Sequence, residues 1–398
     1  MINFSRGSIG IVIPLGVILL GQLNHPAAVY DVGPSAGQIT SLANVPWGNL
    51  APGDAVNIHC KPGGYHEIFQ LSESGSAQNP ILVHGVPDPI TGALPILDGQ
   101  QAVTAPNCDF RNTVFENLGV ILVTPRKAKY LYGVNPPAWI TIENLDIRNA
   151  LYTADGSISF TDQHGVTRPY NSFGCGIYVE MARHLTIRGC EISFCGNGIF
   201  ANSKNGGAES SSDLLIEKNY LHDNGQPLLP DPNNPGQLLS NGYHEHHIYV
   251  ESDQAVYQFN RFGPLRTNCF GCMIKDRSAG TVIRYNEITA TDTSDIFAIL
   301  DPQGGAGYID QKPNYPDAFV YGNILTWKGT STGHQGDIVW FAAANGPKSY
   351  PTQHRGTLYF YQNTIVNHHG GIAAFSLTDT YMAGTTNIFE KVDCRNNI

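Results

Sequence analysis

The chain has 398 residues, 41% of them apolar and 14% charged, with 43 glycines and a formal net charge of −10. Few charges and many glycines suit a turn-rich, strand-rich protein with few helices. The acidic balance and the lack of any basic tract exclude a nucleic-acid partner.

Arg6 precedes an apolar run, Ile9 to Leu20, broken by Pro14 and Gly16. A membrane span needs about twenty residues, so this stretch predicts a cleaved signal peptide over 1–28, with cutting near Ala27 or Ala28 and an uncleaved anchor as the alternative. The protein is then secreted or periplasmic, with no stable membrane span. Export permits disulfides among the eight cysteines, with Cys60–Cys108 and Cys175–Cys195 as candidate pairs. Residues 29–80 are expected to form an N-terminal cap and first coil, with a short amphipathic helix over Gln38 to Val45 covering the core. GGYHE (63–67) resembles the opening motif of the pectin methylesterase family, but the paired Asp and Gln motifs expected after it are missing.

From residue 140 onward one phrase recurs: apolar-x-apolar-x-x-Asn-x-apolar. It reads Leu214, Ile216, Asn219, Leu221; then Ala255, Tyr257, Asn260, Phe262; then Thr281, Ile283, Asn286, Ile288. Further copies carry Asn323 and Asn363, and another begins before Asn397; two earlier copies have Leu145 and Cys190 in the Asn position. Successive copies from Leu145 to Asn397 are 45, 29, 41, 26, 37, 40 and 34 residues apart. A constant phrase at irregular steps describes a solenoid whose coils share strands and differ in loops. Asn at the bend can hydrogen-bond coil to coil and tolerates left-handed backbone, so this ladder is scaffold.

A second strand precedes each phrase: GIYVE (176–180), GIFAN (198–202), HIYVE (247–251), GCMIK (271–275), DIFAI (295–299), DIVWF (337–341) and GIAAF (371–375). Alternation sends Ile177, Ile199, Ile248, Cys272 and Ile296 inward, along with Cys190 and Cys394 in the phrases themselves. The other face then carries Tyr178, Phe200, Tyr249, Met273 and Phe297 in one column. Glu180, Asn202, Glu251, Lys275 and Ile299 form the next, with coils roughly 4.8 Å apart.

With these repeats the chain resembles a right-handed parallel β-helix of the pectate-lyase-like superfamily. The resemblance covers roughly Ile81 to the C-terminus. It implies an all-β fold: a single right-handed parallel β-helix over 81–398, behind a short N-terminal cap. The last residue, Ile398, falls inside a strand phrase with no polar cap, so a truncated helix or a coil supplied from elsewhere is expected. Long inserts at 155–172, 203–212, 226–245 and 302–316 are placed to wall a cleft on this scaffold.

The chemical candidate is the outward face around Lys275. His247, Tyr249 and Glu251 occupy one strand, Lys275 and Arg277 the next, and Asp295, Phe297 and Asp301 the one after. Aromatic faces stack on sugar rings and cations meet acidic sugars, so the strip suits a polysaccharide. CMIKDRSAGTVIRYNEI (272–288) is similar to the lysine region of the alginate lyase and chondroitinase B group. That resemblance implies β-elimination from a uronate polymer with Lys275 as base, and a Ca2+ cofactor held by Glu180, Asn202 and Glu251. The group's two glutamates lie five and seven positions before the lysine, where this chain has Phe270 and Asn268. Arg277 and His247 are the further catalytic candidates, and Tyr178, Phe200, Tyr249, Phe297, Asp295 and Asp301 the substrate-binding ones. HEHH (244–247) has the look of a metal cluster, although alternation points its side chains in opposite directions. The alternatives are a glycoside hydrolase using Asp295 and Asp301, and a non-catalytic carbohydrate-binding helix. A monomer is expected.

Overall fold

The computed structural model describes residues 26–110, 113–129, 135–204, 210–231, 233–240, 242, 244–291, 295–329, 336–342, 356–368, 372–377 and 390–398. Of the predicted leader, residues 1–25 lie outside the described residues. Among those described, no helix is long and apolar enough to cross a membrane.

Each recurring phrase folds as the sequence pattern requires. Its first half is a strand of one sheet, its Asn a corner, and its second half a strand of another. The first sheet runs from Val29–Val32 through Ala138–Glu143, Arg183–Arg188, Ser211–Glu217, Ser252–Gln258 and Ala279–Arg284 to Lys391–Arg395. The corner strands, Asp146–Arg148 through Thr364–Asn367, form a second sheet. The strands that precede each phrase, including Cys175–Glu180, Asn197–Asn202, Ile248–Val250, Ile274–Asp276, Asp295–Leu300 and Asp337–Ala342, form a third. Neighbours within these sheets pair in parallel, apart from one antiparallel strand, Thr167–Arg168, at an edge of the third. The three sheets enclose one continuous apolar core, and the chain is a right-handed parallel β-helix.

The corner amides make a polar spine inside that core. Asn219, Asn260, Asn286 and Asn323 each donate through Nδ2 to the Oδ1 of the next Asn at 3.0 Å, and Asn363 donates to Asn397 at 3.1 Å. The left-handed residue is not the Asn but the one before it: Lys218, Phe259, Tyr285, Gly322, Gln362 and Asn396 all have φ between 51° and 67°. Turning the backbone one residue early leaves each Asn side chain aimed inward at its neighbour.

Three expectations change, and a fourth stretch behaves as expected. Within the stretch expected to hold the cap and first coil, Val29–Val32 and Ala55–His59 are already strands of the first sheet. The cap helix is replaced by two single-turn 3-10 helices, Leu42–Asn44 and Trp47–Asn49. Val45 precedes Pro46 and is extended, which breaks a continuous helix. All eight cysteines are free thiols, and Cys394 is exposed. The register around Lys275 also moves. Ile248 pairs with Ile274 and Tyr249 with Lys275, two residues away from the alignment that puts Lys275 beneath Glu251. Gly271–Met273 lies outside the strand, which starts only at Ile274, and a Cβ on Gly271 would lie 1.8 Å from the Glu245 carbonyl oxygen. Ile274 then pairs with Phe297, an odd shift that sends Phe297 into the core with no exposed surface. Phe297 is therefore not a substrate-stacking residue. Cys272 leaves the main core and packs with Ala298 and Leu300.

Candidate functional site

On the third sheet's outward face, one column runs Tyr178, Phe200, Tyr249, Lys275. Tyr178 stacks on Phe200 (centroids 5.8 Å, 10°) and Phe200 on Tyr249 (4.7 Å, 10°). Lys275 completes the column with its Nζ 5.3 Å from the Tyr249 centroid. The aromatic faces are spent on one another, and Tyr178 and Tyr249 are buried. They are thus a wall beneath the site rather than open platforms for sugar rings. Lys275 is half-buried and, among the described residues, forms no ion pair. Burial, reinforced by Arg277, pulls its ammonium down to about 8.

The next column runs Glu180, Asn202, Glu251, Arg277. Glu180 pairs with Asn202, Glu251 N–H donates to Ala201 O at 2.9 Å, and Arg277 N–H donates to Val250 O at 2.8 Å. Arg277 therefore takes the place under Glu251 that the sequence alignment assigns to Lys275. Its guanidinium is buried, donates to the Asp301 carbonyl, lies 3.8 Å from the Asp301 carboxylate, and hydrogen-bonds Tyr249. Tyr249 in turn donates to Gln303 Oε1 at 3.4 Å.

Two of the three predicted calcium ligands, Glu180 and Glu251, have their carboxylates engaged by other groups. Glu180 is 1% exposed and its Oε1 meets the Lys204 ammonium at 2.8 Å. Glu251 accepts the backbone N–H groups of Gln303 (3.1 Å), Gly304 (3.2 Å) and Gly305. Burial raises its pKa, and those amides hold the rise in check. Its carboxylate anchors the loop after Asp301, and a cation there would face the positive ends of three amide dipoles. Among the described residues, no group of three or more His, Cys, Asp or Glu is placed to hold a metal ion.

His247 is corrected as well. It lies in the core, with Nε2–H donating to Gly263 O (2.9 Å) and Nδ1 accepting from Asn224 (3.1 Å). Burial pushes it to about 4. The histidine beside the strip is its neighbour His246, whose ring lies 5.8 Å from the Tyr249 ring at an interplanar angle of 25°. The Cys272 amide donates to His246 Nδ1 at 2.7 Å, which fixes the neutral tautomer with hydrogen on Nε2. Among the described residues that buried Nε2 has no hydrogen-bond partner, and burial together with Lys275 holds the ring well below its ordinary value.

Asp295 and Asp301 do not form a pair. Asp301 serves Arg277, while Asp295 stands directly opposite Asp337 on the next strand, accepting its N–H at 3.3 Å. The Cys272 thiol lies 3.7 Å from Asp295 Oδ2. Burial, then the Asp337 charge, push Asp295 up to about 7. Asp337 is a residue the sequence reading misses; its signal is an Asp opening two consecutive strands, DIFAI and DIVWF.

No protein-family model and no curated protein matches the chain. Solved structures do. An alginate lyase from Paenibacillus sp. str. FPU-7 matches at 15% identity and TM-score 0.43, covering 82% of this chain and 95% of that one. A GH136 lacto-N-biosidase from Eubacterium ramulus matches at 12% and 0.42, over 93% and 67%. The pectin methylesterase PemA from Erwinia chrysanthemi matches at 10% and 0.40, over 88% and 92%.

Proposed function

We propose that the protein is an exported enzyme that cleaves an acidic, uronate-containing polysaccharide by β-elimination, with Lys275 as the base. One observation carries this reading: a half-buried amine over Tyr249, unpaired among the described residues, with its pKa drawn to about 8. In the elimination the free amine takes the proton alpha to the uronate carboxylate. The released electron pair forms the carbon–carbon double bond, and the glycosidic oxygen leaves with a proton. In this reading the donor of that proton is the Tyr249 hydroxyl, which contacts Arg277 and Gln303. Arg277 supplies fixed positive potential beneath the acidic sugar. No step is routed through calcium.

The test is the ultraviolet absorbance of unsaturated product from alginate, pectate, glucuronan and chondroitin, with Lys275→Ala alongside. Absorbance that appears with wild type and vanishes in the variant supports the reading; no absorbance on any polymer overturns it for those sugars. A second reading rests on Asp295 and Asp337. A carboxyl held protonated near neutrality beside a second carboxylate is the arrangement of a hydrolase, and it would release reducing ends without absorbance.

A further inference from the structure

A groove of about 480 Å³ opens on the first sheet, away from the Lys275 face. Its floor is one register column, Thr141, Thr186, Leu215 and Val256, which alternation turns outward. Along one side stands a ridge. Trp139, His184, Asp213 and Gln254 each follow a residue of a second register column, Ala138, Arg183, Ser212 and Asp253. All four ridge residues have left-handed backbone, with φ of 55°, 51°, 55° and 75°. The same kink repeated in these four consecutive coils lifts the side chains out of the sheet's alternation and aligns them. Trp139 stacks on His184 (3.8 Å, 13°), and His184 Nδ1 meets Asp213 at 2.8 Å.

The far end of the groove is cationic. Arg284 donates through Nε to Gln258 Oε1 at 2.8 Å and through Nη1 to the Tyr321 hydroxyl at 2.9 Å. Both partners are neutral, and among the described residues no carboxylate pairs with Arg284. From the Trp139 strand to the Arg284 strand is four rungs, roughly 19 Å. A trough of that length, partly indole and aliphatic, partly amide, with a cation lacking a carboxylate partner, has the chemistry of a carboxylated glycan strand: apolar ring faces, hydroxyls and a spaced anion. A chain of net charge −10 repels such a polymer overall, so the attraction in this groove is local, from Arg284.

We infer that this groove is a second binding site for an acidic polysaccharide, gripping a strand of the substrate outside the Lys275 site. Trp139 and the floor take the sugar faces, Gln254 and Gln258 the hydroxyls, and Arg284 a uronate carboxylate. The inference rests on the substrate class proposed above. The ridge begins just beyond the corner that follows Glu180 and Glu251, so one polymer can engage both faces.

The experiment is affinity electrophoresis of the full chain in gels containing pectate, alginate or a neutral galactan, with Lys275→Ala as background to prevent turnover. Retardation is expected on an acidic polymer and not on galactan. Adding Arg284→Gln, which keeps a hydrogen-bonding side chain, or Trp139→Ala should weaken it by about tenfold or more. Trp139→Phe should restore part of the loss. Absent retardation on both acidic polymers, equal retardation on galactan, or undiminished retardation in both groove variants each overturns the inference. Failure of the lyase reading shows differently: wild type makes no unsaturated product while the groove still retards.

Discussion

Lys275 and Tyr249 are 26 residues apart and one rung apart: they are register partners, and the amine lies 5.3 Å from the ring centroid. The ring and the burial around it withhold water from the ammonium, which is why the proton leaves Lys275 more readily than from a surface lysine.

A base that works as the free amine gains activity as it deprotonates. Turnover should climb about tenfold per pH unit below 8 and level above it. Lys275→Arg keeps the charge but not the titration, and should cost at least about a thousandfold in kcat. A pH–rate profile of wild type and variant checks both.

Chelation should leave turnover within about twofold, because the carboxylates of Glu180 and Glu251 are already engaged by an ammonium and by amides. Activity abolished by a chelator and restored by calcium would contradict this.

Asp295 titrates in the opposite sense to a salt-bridged carboxylate. Its folded value is raised to about 7, so the native state holds the proton more tightly than the unfolded chain, and stability falls as pH rises from about 4 to about 7. Asp295→Asn removes that fall. In urea titrations the variant should match wild type near pH 4 and exceed it at pH 8.

Within the amide spine, Asn286 accepts from Asn260 and donates to Tyr257 O and Asn323. Asn286→Ala strands several buried groups at once and should cost about 3 kcal/mol or more. Chemical denaturation measures it, and a cost below about 1 kcal/mol would show that water replaces the ladder.

The coil, the Asn corner and the outward direction of Lys275 are legible in the sequence because each follows from a period of two and a recurrent polar residue. The register is not. Alternation says which face a residue takes within a strand, but not where the strand starts. The irregular segment Gly271–Met273 goes with one pairing shifted by two residues, and the next pairing is shifted by an odd number. The even shift kept Lys275 facing out and exchanged its neighbour; the odd one buried Phe297. His246 and His247 show the same limit: adjacent residues point apart, and only packing decides which one reaches the core. Asp337 was hidden for a different reason, since its partner Asp295 is 42 residues away across an insert.

The amide spine also separates two lengths that are coupled in most folds. The inserts between rungs vary from coil to coil, yet the distance from one corner amide to the next stays at 3.0–3.1 Å throughout. Loops can therefore lengthen or shrink over evolutionary time without moving the rungs that place Tyr249 over Lys275. A family built on such a spine can change what it recognises by editing its loops while its working residues keep their spacing.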